Sequence, residues 1–396
     1  MLYPRWLETS RRHADLPAIY DGGQVLTFSG LAAAVSKRPV ATSPVIARSG
    51  GLDFFVEILR AWRDGQAVIP VERDAPEPLL ARPPVTGTCL VKYTPGASGI
   101  PRGIFLSAAQ VAADGDRLAA AMNFSPEVPN LGVVSLAHSY GFSNIVLPLI
   151  LHGVPVHLAP LPFPRVIEEI FTAHAALVVP AVPSMWRAWH RGGILPSAPI
   201  RLALSAGAPL SLELESEVFA AAGIKIHNFY GASECGGISW DDTSVPRASA
   251  DDVGTVLPGV EISSSAGGRI TVKSDSVATC YDAPRGDDLL CDGFYQTRDL
   301  GLLDATGRLH LTGTLGGAIN VAGRKVSPAK VEAALFATGL VTRVKVGGVP
   351  SNDPERFEEI AATVELIPGE TLDSLKQAVS KLLQGWEIPR RWTVGI

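Results

Sequence analysis

Val91-Lys92-Tyr93-Thr94-Pro95-Gly96-Ala97-Ser98-Gly99-Ile100-Pro101-Arg102-Gly103 is a short strand-like run that opens into a turn carrying glycines, hydroxyls and one cation. Glycine lets backbone N–H groups approach an anion closely, and the hydroxyls of Thr94 and Ser98 with the guanidinium of Arg102 add further donors. The stretch is therefore suited to cradle phosphate groups. It lacks the Gly-Lys-Ser/Thr of a P-loop, so it is not a Walker site. A Gly/Pro turn of this kind, read here as leading from strand to helix, also punctuates folds without binding anything, and the surrounding chain has to supply the chemistry.

Outward from that turn, short β-branched runs (Cys89–Tyr93, Leu131–Ser135, Val154–Leu158, Leu177–Val179 and Arg201–Leu204) alternate with stretches of helical periodicity such as Ser107–Ala121 and Leu210–Ala222. That alternation predicts an α/β fold with largely parallel strands. Between 253 and 311 the texture changes to strands punctuated by Gly and Ser, which predicts an antiparallel, β-rich subregion. Beyond it, Ser327-Pro328 sets an N-cap and first-turn proline before Ala329–Ala337. Val341–Val349 and Ala361–Leu366 then read as strands and Thr371–Leu383 as a helix. The expected organisation is a large N-terminal domain over 1–315 and a small α+β C-terminal domain over 316–396, with Gly313, Gly316 and Gly317 supplying a hinge.

Composition narrows the classes. The chain has 396 residues, 46% of them hydrophobic, enough for a substantial core. Its 34 Lys and Arg against 39 Asp and Glu give a net charge of -5 with no basic block, which points away from nucleic acid. Cys89, Cys235, Cys280 and Cys291 form no Cys-x-x-Cys pair and fit a reducing cytoplasm. Met1–Trp6 meets proline and charge before any apolar run, unlike a signal peptide. The apolar window Leu131–Leu161 is interrupted by Ser139, Asn144, Pro148, His152 and Gly153, short of the ~20 residues of a membrane span, and is assigned to a core.

With these readings in place, the Val91–Gly103 stretch resembles the Tyr-Thr-Ser-Gly-Thr-Thr-Gly-x-Pro-Lys-Gly loop of the adenylate-forming superfamily, which includes acyl-CoA and acyl-carrier-protein synthetases, adenylation domains and luciferases. Later segments follow in the family's order. Asn228-Phe229-Tyr230-Gly231-Ala232-Ser233-Glu234 is similar to its Tyr-Gly-x-Thr-Glu motif. The resemblance implies that Phe229, Tyr230 and Gly231 line the nucleotide, with Tyr230 stacked on adenine. It implies further that Ser233 approaches the α-phosphate and that Glu234 holds Mg2+. The chemistry agrees, since Mg2+ takes one or two protein carboxylates plus phosphate oxygens. Taken alone, Glu234 reads as a solvated loop acid.

Ser205-Ala206-Gly207-Ala208-Pro209-Leu210 resembles the segment whose backbone, here Gly207 and Ala208, edges the adenine and acyl pockets. Gln296-Thr297-Arg298-Asp299-Leu300-Gly301 is similar to the Thr-Gly-Asp-Leu-Gly run, which implies that Asp299 takes the ribose hydroxyls. Leu136-Ala137-His138-Ser139-Tyr140-Gly141-Phe142 resembles the His-Ser-Phe-Gly region, which makes His138 the marker of the acyl site. A lone histidine among apolar residues otherwise reads as a satisfied core residue. No Asp stands between Leu131 and Pro164 to pair an ammonium, so α-amino acids are disfavoured. Tyr140, Phe142, Phe229 and Ile145–Ile150 suggest an apolar acyl or aryl group, although such residues also serve as plain core. Ile319–Glu332 matches the segment that opens the family's C-terminal domain.

The resemblance implies catalysis by Thr94, Glu234 and His138, with ATP, Mg2+ and either CoA or a phosphopantetheine arm, on a small carboxylic acid and with an acyl carrier protein as a candidate partner. Departures are specific. Pro95 and Ala97 replace hydroxyl residues, Gly313-Thr314 stands for the family's Gly-Arg, and Gly316 stands for a charged hinge residue. The sequence ends at Ile388–Ile396 with no counterpart of the terminal Pro-x-x-x-x-Gly-Lys motif, so the chain is expected to be a shortened member. Loss of such a contact costs about 2.7–4 kcal/mol of transition-state stabilisation. Three readings stay open at this point: an acid–thiol ligase forming acyl-AMP and then a thioester, a protein that performs only the thioester-forming transfer, and a non-catalytic nucleotide- or acyl-binding scaffold.

Overall fold

A computed structural model describes residues 2–94, 102–265, 267–286, 288–314, 319–351, 353 and 358–395. Ser98, the substituted Pro95 and Ala97, and the hinge glycines Gly316 and Gly317 lie outside the described residues. The chain divides into two compact units, one drawn from residues 1–94, 102–297 and 301–311, the other including 298–300 and 312–396.

In the first unit, the strands Ile226–Ala232, Ile200–Ser205, Leu177–Ala181, Asn130–Gly132, Val156–Leu158 and Pro17–Asp21 lie side by side, each parallel to its neighbour. These are the apolar runs of the sequence, buried because helices such as Pro183–Arg191 and Leu212–Ala222 intervene between strands and cover the sheet. At Ile226–Ala232 the sheet changes character. Gly236–Trp240, Asp252–Val256 and then Arg308–Thr314 follow it antiparallel, and Glu261–Ser264 pairs antiparallel with Arg269–Lys273 further out. The parallel and antiparallel textures predicted from sequence are thus two halves of one sheet.

A second sheet places Val45–Arg48, Val68–Val71, Thr88–Thr94, Arg102–Ser107 and Cys280–Tyr281 in order. Here a local reading is corrected. The glycine-rich turn joins two antiparallel strands, with Thr94 opposite Arg102, and does not lead directly into a helix. The reason is the run Gly103-Ile104-Phe105-Leu106, whose residues are all buried, Phe105 on one face and Ile104 and Leu106 on the other. The helix Ala108–Ala121 begins only after Ser107, which caps the Gln110 amide while the Gln110 side chain returns to the Ser107 amide.

Most of the Leu131–Leu161 window is core, although His138 and Leu161 are exposed, and its strand is shorter than read, Asn130–Gly132. Ser139–His152 is a continuous helical run with a π turn at Phe142–Val146 ahead of Pro148. Ile145 through Ile150 are buried in the main core with Phe54, Phe55 and Trp6.

The second unit has its own core. Val341–Pro350 pairs antiparallel with Glu358–Leu366, against which Arg391–Val394 runs parallel. Helices Pro328–Ala337 and Leu372–Val379 contribute Val331, Leu335, Leu375 and Val379 to its interior. Ser327 caps the first as predicted, and Thr371 caps the second, which stops short of Leu383.

Candidate active site

The parallel pairing ends level, since Ser205 is in register with Ala181 on one side and Asn228 on the other, while Ile226–Ala232 runs on to pair antiparallel with Gly236–Trp240. Residues that follow the carboxyl ends of such pairing are where an open α/β sheet receives a ligand. Gly207 and Ala208 follow Ser205, with the Ala206 amide bonded to the Ala181 carbonyl at 3.3 Å. Tyr230, Gly231, Ser233 and Glu234 follow Asn228, and His138 follows Asn130–Gly132. Gly231 is required sterically, because a Cβ there would sit 2.7 Å from the Gly236 carbonyl oxygen of the neighbouring strand. Phe229 is buried, and its ring stacks on Tyr140 with centroids 5.8 Å apart. Tyr230 is half-buried beside it.

Glu234 is not the solvated acid that its local sequence suggests. It is 8% exposed, and Tyr281 Oη donates to its Oε1 at 2.9 Å. Burial pushes its carboxyl up from the usual range, against hydrogen bonds from Tyr281 and Tyr295 and the field of Arg102. The Arg102 guanidinium stacks 3.8 Å over the Tyr281 ring and is ion-paired with Asp288. Tyr281 reaches this place because its strand pairs with the returning arm of the glycine turn, opposite Ile104. Thr94, Arg102, Tyr281 and Glu234 are thereby linked through one hairpin and its edge strand. Lys92 is buried on the same strand as Thr94, and burial lowers its pKa against the fields of Asp114, Cys235 and Glu234.

No cluster of three His, Cys, Asp or Glu side chains stands ready for a metal among the described residues. A lone buried carboxylate whose charge is under-compensated nevertheless fits Mg2+ arriving with phosphate, because that ion keeps water and phosphate oxygens in most of its shell.

His138 also departs from its isolated reading. Its side chain is 69% exposed, with Nε2 3.4 Å from Glu72 Oε1. Glu72 follows the strand Val68–Val71 and further accepts from Ser49 Oγ at 2.8 Å and from Ser135 Oγ. One residue past His138, Ser139 Oγ donates to Ser233 Oγ at 2.7 Å, which brings the segments of His138 and Glu234 together. Asp299 lies in the second unit, where Thr314 Oγ1 donates to its Oδ1 at 2.9 Å and Lys325 Nζ stands 3.8 Å away. Thr314, a departure from the family pattern, therefore makes its own contact with the predicted ribose-binding acid.

Glu72, Tyr281, Tyr295, Asp288 and Lys92 were not legible as site residues. A charge inside the apolar run Cys89–Tyr93 was the one local sign, and it marked Lys92.

The chain is 25% identical over 323 residues to a long-chain-fatty-acid–CoA ligase of Bacillus subtilis, a match covering 76% of this chain and 57% of that relative. It is 28% identical over 318 residues to a probable 2-succinylbenzoate–CoA ligase of Mycobacterium tuberculosis, covering 76% and 78%. In fold it resembles a double mutant of o-succinylbenzoate-CoA synthetase from Bacillus subtilis solved with a product analogue, with a TM-score of 0.81 at 18% identity over 99% of this chain and 94% of that one. The family model described as AMP-binding enzyme matches residues 53–281, which span the glycine turn, His138, Ser233, Glu234 and Tyr281. This chain belongs to the AMP-binding enzyme family, the adenylate-forming superfamily that its ordered motifs resemble.

Proposed function

We propose that this protein is an acid–thiol ligase that activates a carboxylic acid other than an α-amino acid as acyl-AMP and then passes the acyl group to a thiol. The observation that carries this reading is the Ser139–Ser233 hydrogen bond. It joins the segment of His138 to the segment of Glu234 at the carboxyl ends of parallel strands, so acid and nucleotide have one place to meet. The CoA ligases among its relatives support the same reaction class.

In the first half-reaction, a carboxylate oxygen attacks the α-phosphorus of ATP and pyrophosphate leaves. Bound Mg2+ would neutralise triphosphate charge, with Glu234 as its protein ligand. Thr94, Ser98 and Arg102 donate to phosphate oxygens, Ser233 donates at the α-phosphate, and Tyr230 with Phe229, Gly231 and the Gly207-Ala208 backbone frames the base. Asp299 accepts from the ribose hydroxyls. In the second half-reaction the thiol sulfur bonds to the acyl carbon, the bond from that carbon to the AMP oxygen breaks, and the thiol releases its proton. His138 stands at that step.

The thiol of CoA and that of a carrier protein's phosphopantetheine share this chemistry. The four unpaired cysteines are in keeping with work in a reducing cytoplasm. No described helix is long and apolar enough to cross a membrane.

The test offers purified protein Mg-ATP and a panel of fatty, aryl and short-chain acids, with CoA or with a phosphopantetheinylated carrier protein. Pyrophosphate release and acyl hydroxamate are expected for at least one acid, and thioester for one of the two thiols. ATP binding without turnover of any acid would leave a scaffold in place of an enzyme. Thioester formation from supplied acyl-AMP, without pyrophosphate release from ATP, would restrict the protein to the second half-reaction.

A further inference from the structure

Glu72 is the point where two sheets of the first unit meet beside His138. It follows the carboxyl end of Val68–Val71 in the smaller sheet, while Ser135 and His138 lie beyond Asn130–Gly132 of the larger one. Its carboxylate collects three groups. Ser49 Oγ donates to Oε2 at 2.8 Å, Ser135 Oγ donates to Oε1, and His138 Nε2 stands 3.4 Å from Oε1. The Ser49 amide is itself anchored to the Val71 carbonyl at 2.8 Å, so the carboxylate is held from its own sheet.

The backbone at His138 is held by contacts of its own and, through Ser135, by Glu72, since the His138 amide donates to Ser135 Oγ at 3.4 Å and that hydroxyl donates to Glu72. A Cβ on Gly141 would come within 2.1 Å of the Ser135 carbonyl oxygen, so helix and turn are in close contact there, and the Phe142 amide bonds the His138 carbonyl at 2.9 Å. The imidazole has no such support. It is largely exposed, and Glu72 is its one side-chain partner among the described residues.

We propose that Glu72 is a positioning residue for His138, holding the ring with Nε2 toward the carboxylate and leaving Nδ1 as the nitrogen with an open lone pair. A carboxylate on one imidazole nitrogen places the proton there and orients the ring. This rests on the reading of His138 as the residue of the acyl and thioester step. It adds a residue that no motif marks, and it makes the gap between the two sheets part of the site.

The test has a spectroscopic arm and a kinetic arm, both on the full chain. Long-range 15N–1H spectra of histidine-labelled protein, with the signal assigned by His138→Asn, report the tautomer. The wild type is expected to hold one tautomer with the proton on Nε2, and Glu72→Gln to show a mixture. Ser49→Ala, which removes a Glu72 contact on the side away from the ring, is expected to leave the tautomer in place. An unchanged spectrum in Glu72→Gln overturns the proposal, whatever His138 does.

The kinetic arm measures AMP release from octanoyl-AMP and benzoyl-AMP with CoA. Glu72→Gln should lower kcat about tenfold with KM for CoA little changed, as for loss of a charged partner that orients the ring. That loss should vanish in a His138→Ala background and be partly restored by Glu72→Asp. A full Glu72→Gln effect without His138 overturns the positioning role. A tautomer that responds to Glu72 while His138→Ala leaves thioester formation untouched would keep the contact and discard the functional reading of His138.

Discussion

Ser139 Oγ donates to Ser233 Oγ across 2.7 Å, although 94 positions separate the two residues. Because Ser233 accepts this bond, its own hydroxyl proton stays available to a phosphate oxygen. Ser139 opens the helical run after His138, and Ser233 immediately precedes Glu234, so the bond couples two motifs that nothing in the linear order connects.

From that coupling, Ser139→Ala should lower stability by about 0.5–1.5 kcal/mol, the net worth of one part-buried hydrogen bond. It should also slow pyrophosphate release a few-fold while leaving ATP affinity close to wild type. Ser233→Ala should slow the same step more strongly. Denaturant titration and a pyrophosphate assay on the two variants measure these outcomes, and equal effects on both variants would assign Ser233 a purely structural part.

Glu234→Gln should remove Mg2+-dependent adenylation by about 10²–10³ in kcat, the scale for loss of one preorganised electrostatic contact. Tyr281→Phe should be milder. It deletes a donor to the carboxylate, a change of about 1.5 kcal/mol, and weakens apparent Mg2+ affinity roughly tenfold. Mg2+ titration of activity in the two variants separates them.

Lys225 binds both Glu215 and Asp241 in the interior, Arg247 Nε holds Glu215 at 2.9 Å, and Arg308 Nη2 holds Asp241 at 2.8 Å. Lys225→Met should cost about 3–5 kcal/mol, because removing one partner leaves buried carboxylates under-compensated. Burial raises the Asp241 pKa, but Lys225 and Arg308 outweigh it and hold the group below its ordinary value. Its contribution is therefore full above about pH 4, where the unfolded carboxyl is ionised, and is lost as pH falls through the folded-state value. Unfolding curves of the wild type and Lys225→Met from pH 3 to 7 should converge toward acid pH. Parallel curves would assign the acid sensitivity elsewhere.

Thr314→Val removes the donor that holds Asp299 Oδ1 while keeping the shape of the side chain. If Asp299 takes the ribose hydroxyls, ATP affinity should fall about two- to tenfold, as for one lost hydrogen bond. A 2′-deoxy-ATP substrate should show a smaller difference between variant and wild type. Calorimetry with both nucleotides reads this directly, and equal losses for the two would separate Thr314 from ribose recognition.

Much of the fold was legible because its causes are local. The β-branched runs from Leu131 to Leu204 became adjacent parallel strands, and the change of texture after Val253 became the antiparallel half of the sheet. Ser327-Pro328 capped its helix because a cap depends on residues three positions apart. The glycine turn misled in one respect, since its own composition did not show that Arg102–Ser107 would return as a strand beside Thr88–Thr94.

What the linear order of residues determined by itself was membership: ordered motifs around Thr94, His138, Glu234 and Asp299, and the α/β alternation that carries them. What only the tertiary structure decided was the state of each side chain. Glu234, which looked solvated, is buried because Tyr281 arrives from a strand paired to Ile104, and His138, which looked buried, stands in the open beside Glu72. Burial and charge partners depend on which distant strands come to lie side by side, and periodicities of two and 3.6 residues hold no information about that pairing.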